Sequence, residues 1–149
     1  MPGTKPAAPA LRLLAEDAED LQIISAALQD AVARVGDIHY EPGPRRLTMV
    51  FNRFRWEREG AGSVGRIRSA LQFGSVTSVK ARRLKREPKD AVVELLAVDF
   101  HATDAPSGSV VLSFAGDADL LVEVECLDAV LADVSQPWPT RRSPRHELG

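Results

Sequence analysis

The chain has one cysteine, Cys126, in 149 residues, so it has no internal disulfide and no multi-cysteine zinc site. A single thiol suits a reducing compartment. Aromatic residues make up only 5% of the chain. No stretch approaches the roughly 20 apolar residues needed to span a bilayer. The first ten residues carry three prolines and no apolar h-region, which excludes a secretory signal there. Neither charge sign dominates, since the net charge is only −2. That small net value hides a split. Residues 34–89 hold 14 Lys/Arg against 5 Asp/Glu, whereas residues 90–134 hold 10 Asp/Glu and no Lys or Arg.

The split has two readings. Basic and acidic strands can lie side by side in one sheet and neutralise each other across it. Alternatively, the basic segment forms a face that meets an anionic partner. The first is favoured, because exposed pairing is the ordinary fate of mixed charge.

The remaining composition, 44% hydrophobic and 27% charged, is that of one globular domain with its own core. We expect a flexible leader over 1–10, a single domain over 11–138 and a flexible basic tail over 139–149. Leu11, Leu13 and Leu14 read as a first strand. Asp17 is placed as an N-cap, and Leu21, Ile24, Leu28 and Ala31 follow at helical spacing, predicting a helix from 18 to about 30. Val32 and Val35 start a return to strand, and Ile38 and Tyr40 lead into a turn at Glu41-Pro-Gly-Pro44. Over 46–57 the apolar face changes from Leu47, Met49 and Phe51 to Phe54 and Trp56, which predicts a bulge near Asn52-Arg53. Further strands are expected from Ile67 through Leu71 and Phe73 to Val76 and Val79, bent at Gly74, and at 91–101, Val110–Phe114 and Leu120–Val124. Leu127, Val130, Leu131 and Val134 restore helical spacing and predict a C-terminal helix packed on the sheet. The sum is an α+β domain, β-α-β-β-β-β-β-β-α. It is a largely antiparallel strand meander, curved or a partly open barrel, with a pleckstrin-homology-like order of elements.

Candidate chemistry is sparse. Gly60-Ala-Gly-Ser-Val-Gly65 matches G-x-G-x-x-G. However, the charged residues before it and the strand-like residues after it point to a hairpin loop rather than a dinucleotide site. The same loop fails as a nucleophile elbow, because Ala61 replaces the first glycine around Ser63. Asp99 and His101 share a strand face and can orient each other, but a strand-end histidine beside a solvated carboxylate is the plainer reading. His39 and His146 complete no metal-ligand spacing, and no cofactor is implied. Cys126 continues the alternation of Val122 and Val124 and reads as a buried small hydrophobe. The best candidate for a partner or anion surface is Arg53, Arg55, Arg66, Arg68, Arg82, Arg83, Lys85 and Arg86, with Phe54 or Trp56 available to stack on bases. Against it stands the reading in which Phe54 and Trp56 are core and the arginines pair with the acidic half.

Several segments together resemble a known family. They are Ser25-Ala-Ala-Leu-Gln-Asp-Ala-Val32, Gly36-Asp-Ile-His-Tyr40, Asn52-Arg-Phe-Arg-Trp-Glu57, Phe114-Ala-Gly116, Val122-Glu-Val-Glu-Cys-Leu-Asp128, Asp133 and Pro137-Trp138. The family is one of small alphaproteobacterial proteins catalogued as domain of unknown function 2948, and the resemblance covers about residues 11–138. It implies a bacterial cytoplasmic protein without assigned activity or site residues. No nucleophile, base and oxyanion set converges, so the sequence favours a non-enzymatic module that binds a protein partner at a sheet edge or on the arginine-rich strands. Two alternatives stand beside it. One is RNA or phosphate-ligand binding through strands 52–58 and 66–86, and the other is a small enzyme using Asp99 and His101.

Overall fold

The computed structural model describes residues 10–54, 65–85 and 87–134, together with the backbone of 138–139. The expected leader and tail therefore lie almost entirely outside the described residues. The chain begins with β1 (Arg12–Ala15) and α1 (Ala18–Ala27). Asp17 caps α1 by accepting the Asp20 backbone N–H at 2.8 Å, and Glu19 and Asp20 place negative charge in the first turn. The helix buries Leu21 and Ile24, and its C-cap Leu28 is buried beside them. The chain leaves the helix through Asp30, whose φ of 63° is left-handed, a conformation that aspartate tolerates better than most residues.

β2 (Val32–Arg34), a 3₁₀ turn (Val35–Asp37) and β3 (Ile38–Glu41) follow in one lane beside β4 (Arg46–Phe54). The remaining strands are β5 (Gly65–Phe73), β6 (Val76–Arg82), β7 (Val92–Ala102), β8 (Gly108–Phe114), β9 (Ala118–Val124), β10 (Ala129–Asp133) and β11 (Trp138–Pro139). The order across the sheet is β1-β10-β5-β4-β2-β7-β8-β9-β6, with β3 also beside β4 and β11 beside β5. Every pairing is antiparallel. The sheet is open, with edges at β1 and β6. Its inner face closes around one core that includes Leu47, Met49, Phe51, Leu71, Phe73, Leu112 and Phe114, and α1 contributes Leu21, Ile24 and Leu28 to it. Gly108 is glycine for a packing reason: a Cβ there would overlap the Phe100 ring and approach the His101 carbonyl oxygen to 2.8 Å.

Three sequence expectations are corrected. The predicted C-terminal helix is strand β10, lying between β1 and β5, with Ala129 and Leu131 inward. Apolar spacing over so short a run fits helix and strand alike, and the β-branched Val130 belongs with the strand. The pleckstrin-homology-like element order rested on that helix and is not confirmed. There is also no bulge at Asn52-Arg53. β4 pairs with β5 in unbroken register from Leu47↔Phe73 to Phe54↔Arg66, so Arg53 takes the inward position after Phe51. The register shifts occur instead in β6 and β7. Finally, the strands are not a simple meander. β6 follows β5 in sequence, yet it crosses to β9 after Gly74-Ser75, where Ser75 has a φ of 56°.

Candidate functional site

The topology pairs Arg45, Arg53, Arg82 and Arg83 of the basic segment with carboxylates of the acidic one. β6 lies beside the acidic β9, so Arg82 meets Asp119 at 2.5 Å and Arg83 meets Asp117 at 2.6 Å. The hydrogen bond from Arg82 holds the Asp119 carboxyl below its usual pKa and raises that of the guanidinium. Arg45 pairs with Glu125 at 2.8 Å. Arg46 pairs with Glu41 at 3.0 Å, and the Arg46 hydrogen bond lowers the Glu41 pKa.

Arg53 is fully buried, so it belongs to no surface. Its Nη2 donates to both Asp133 oxygens, at 2.9 and 3.1 Å, and its Nε donates to Ser69 Oγ at 2.9 Å. Ser69 Oγ in turn donates to Asp133 Oδ1 at 2.6 Å, and the Leu11 backbone N–H donates to Oδ2 at 2.8 Å. This cluster ties β4, β5, β10 and the start of β1 together. It is the central instance of the self-paired sheet.

Among the described residues, the other members of the predicted anion surface divide between β5, which carries Arg66 and Arg68, and the end of β6, where Arg82, Arg83 and Lys85 lie. Arg66 is stacked on the Phe54 ring, 4.2 Å from its centroid, and Arg68 is half-buried on the outer face of β5. Lys85 is exposed, while Arg55, Trp56 and Arg86 lie outside the described residues. Most of the Gly60–Gly65 motif also lies outside them, but the chain resumes as a strand antiparallel to β4, which is the connectivity of a hairpin. Asp99 accepts a hydrogen bond from Gln22 Nε2 at 3.1 Å, and His101 is exposed. Cys126 is half-buried in the bend after β9, with its Sγ 3.7 Å from Ser75 Oγ, and does not continue the strand as expected. Among the described residues, no group of three or more His, Cys, Asp and Glu is placed to hold a metal.

What the sequence reading missed is an open seam. The β2–β3 lane pairs with β7 only through its first half, ending with the Val35 N–H to Ala91 O and Gly36 N–H to Lys89 O bonds. Beyond that point β3 pairs only with β4 among the described residues, and β6 pairs only with β9. The two free edges converge at one end, where the Val76 N–H donates to the Arg45 carbonyl at 2.9 Å and Tyr40 Oη donates to the Val76 carbonyl at 3.4 Å. From there they enclose a cleft of about 520 Å³. Its floor includes the core residues Leu47 and Leu120, its walls Ile38 and Tyr40 on one side and Val79 and Ala81 on the other. His39, Glu87 and Lys89 line its polar parts. Lys80 and Lys85 lie on or just after β6. Neither they nor Lys89 form an ion pair with any described residue. The only sequence signal of this seam is the run Val35-Gly36-Asp37, which interrupts an otherwise continuous lane.

A family profile described as a protein of unknown function (DUF2948) matches residues 11–146, and the chain belongs to that family. No curated protein and no solved structure gives a significant match. Among the described residues, no helix is long and apolar enough to cross a membrane.

Proposed function

We propose that this protein is a non-enzymatic interaction module that binds an extended, acidic segment of a protein partner by strand addition at the β3–β6 seam. The observation that carries this reading is a cleft walled by two strand edges unpaired among the described residues and floored by core leucines. Unpaired edges offer backbone N–H and C=O groups to an incoming strand, and apolar walls take its alternate side chains. The charge of the lining and of the chain on and just after β6 selects the partner. Lys80, Lys85 and Lys89 outnumber Glu87 and Asp90, whereas the arginines nearby are already committed to Asp117 and Asp119. For the same reason the seam is a better partner site than the arginine-rich strands. An enzymatic reading through Asp99 and His101 finds less support, since one is engaged by Gln22 and the other faces solvent. A reducing, cytoplasmic setting suits the unpaired thiol of Cys126.

The test is a selection of ten-residue peptides displayed against the full chain, followed by amide hydrogen exchange on the best binders. We expect alternating apolar and acidic peptides that protect backbone amides of β3 and β6 and lose binding to Ala81→Trp, which fills the cleft. Val79→Pro, which removes an edge N–H, should also weaken them, with the fold of both variants checked by circular dichroism. Peptides that protect other strands, or that bind Ala81→Trp unchanged, would refute the assignment.

A further inference from the structure

A second feature lies on the opposite, outer face of the sheet. A depression of about 160 Å³ crosses β2, β4 and β5, lined by Arg34, Asn52 and Arg68 with Val32, Val50 and Val92 around them. The register brings these residues together: Asn52 stands opposite Arg68 on β5 and opposite Val32 on β2, two residues before Arg34. Among the described residues of the basic segment, Arg34 is the one arginine that makes no hydrogen bond, ion pair or ring contact. It is nonetheless half-buried. A guanidinium carries five N–H donors, and those of Arg34 meet no acceptor among the described residues.

We infer that Arg34, Asn52 and Arg68 form a binding site for a phosphoryl group. Guanidinium forks on β2 and β5, with a carboxamide between them on β4, supply donors from three strands to one tetrahedral oxyanion. The two guanidiniums outnumber the single lining carboxylate, Asp37. The depression is the size of a phosphoryl group, and anything larger attached to it lies outside. The ligand is therefore inorganic phosphate or the phosphate of a small ester held by its charged end. The inference rests on Arg34 and is independent of the seam.

The experiment is an NMR titration of the full chain with inorganic phosphate and, separately, with phenyl phosphate, following backbone amides and arginine Nε–H groups. We expect saturable shifts at Arg34, Asn52 and Arg68 with at least one of the two. Arg34→Gln should weaken that binding about tenfold or more, the loss of one charge-assisted contact. Arg12→Gln, on the exposed edge strand β1, should leave it unchanged. Tighter binding of phenyl phosphate would identify an ester as the ligand, and tighter binding of inorganic phosphate the free ion. Shifts that do not saturate, spread over all surface cations or survive Arg34→Gln would overturn the site. So would a steeply salt-dependent response to an oligoribonucleotide with none to either phosphate.

Discussion

Replacing Asp133 with alanine removes the one carboxylate that the described residues bring to Arg53, a cation with no access to water. The Asp133 side chain is 3% exposed and that of Arg53 is 0% exposed, so bulk solvent cannot take over the lost interaction. Asp133→Ala deletes both oxygens that receive Arg53 Nη2, the acceptor for Ser69 Oγ and the acceptor for the Leu11 N–H. Breaking a buried pair from one side costs about 3–5 kcal/mol, because it strands a desolvated charge. A domain's whole stability is only about 5–15 kcal/mol, so the variant should be close to its folding limit. Urea denaturation followed by circular dichroism would show a much lower midpoint with little change in slope. Asp133→Asn keeps an acceptor for Leu11 and should fall between wild type and alanine. The double variant Arg53→Met, Asp133→Leu should recover at least half of the loss, since it strands no charge. A cost below about 1 kcal/mol for Asp133→Ala would refute the reasoning, because that is how an exposed pair behaves.

Gly108→Ala should destabilise by about 1–3 kcal/mol through forced movement of Phe100, read as a fall in the thermal midpoint, whereas Gly43→Ala, where a Cβ meets nothing within 4 Å, should cost far less. The Asp119 carboxyl should titrate below the ordinary aspartate range, because Arg82 donates to it. Its contribution to stability is thus present above the unfolded pKa and lost as pH falls through the lower folded value. Carbon-detected NMR on Arg82→Gln should return Asp119 to the ordinary range while Glu41 stays low beside Arg46. If both move together, the pairs are not acting locally.

Local chemistry was legible where one side chain decides the conformation. The Asp17 cap, α1 and the strand alternation of β8 and β9 could all be read from spacing alone. The favoured fate of the charges, acidic strands beside basic ones, also holds for Arg45, Arg53, Arg82 and Arg83. Long-range order was not legible. Nothing local says that β6 abandons β5 for β9, or that β10 enters between β1 and β5. The burial of Arg53 was hidden for the same reason. An arginine following Phe51 at period two looks like an error in the apolar pattern until Asp133, 80 residues away, is brought against it. A bulge would repair that pattern locally, whereas the pairing with Asp133 leaves β4 in regular register.

The seam depends on this same long-range order, and its lysines have a second physical role that bears on what can enter it. A free strand edge is a template for pairing with another copy of itself, and charge on the edge is a common protection. Lys80 lies on β6, with Lys85 just beyond it, so two copies meeting edge to edge through β6 would bring like charges together. Arg82 at the end of that strand and Arg83 just after it cannot serve this purpose equally, because Asp119 and Asp117 already cancel them. On the proposed reading, the lysines that oppose self-pairing are also the ones left to attract an acidic strand. Replacing Lys80, Lys85 and Lys89 with glutamine should then do two things at once. It should weaken acidic peptides in a salt-dependent way, and it should raise the tendency of the chain to self-associate, measured by analytical ultracentrifugation.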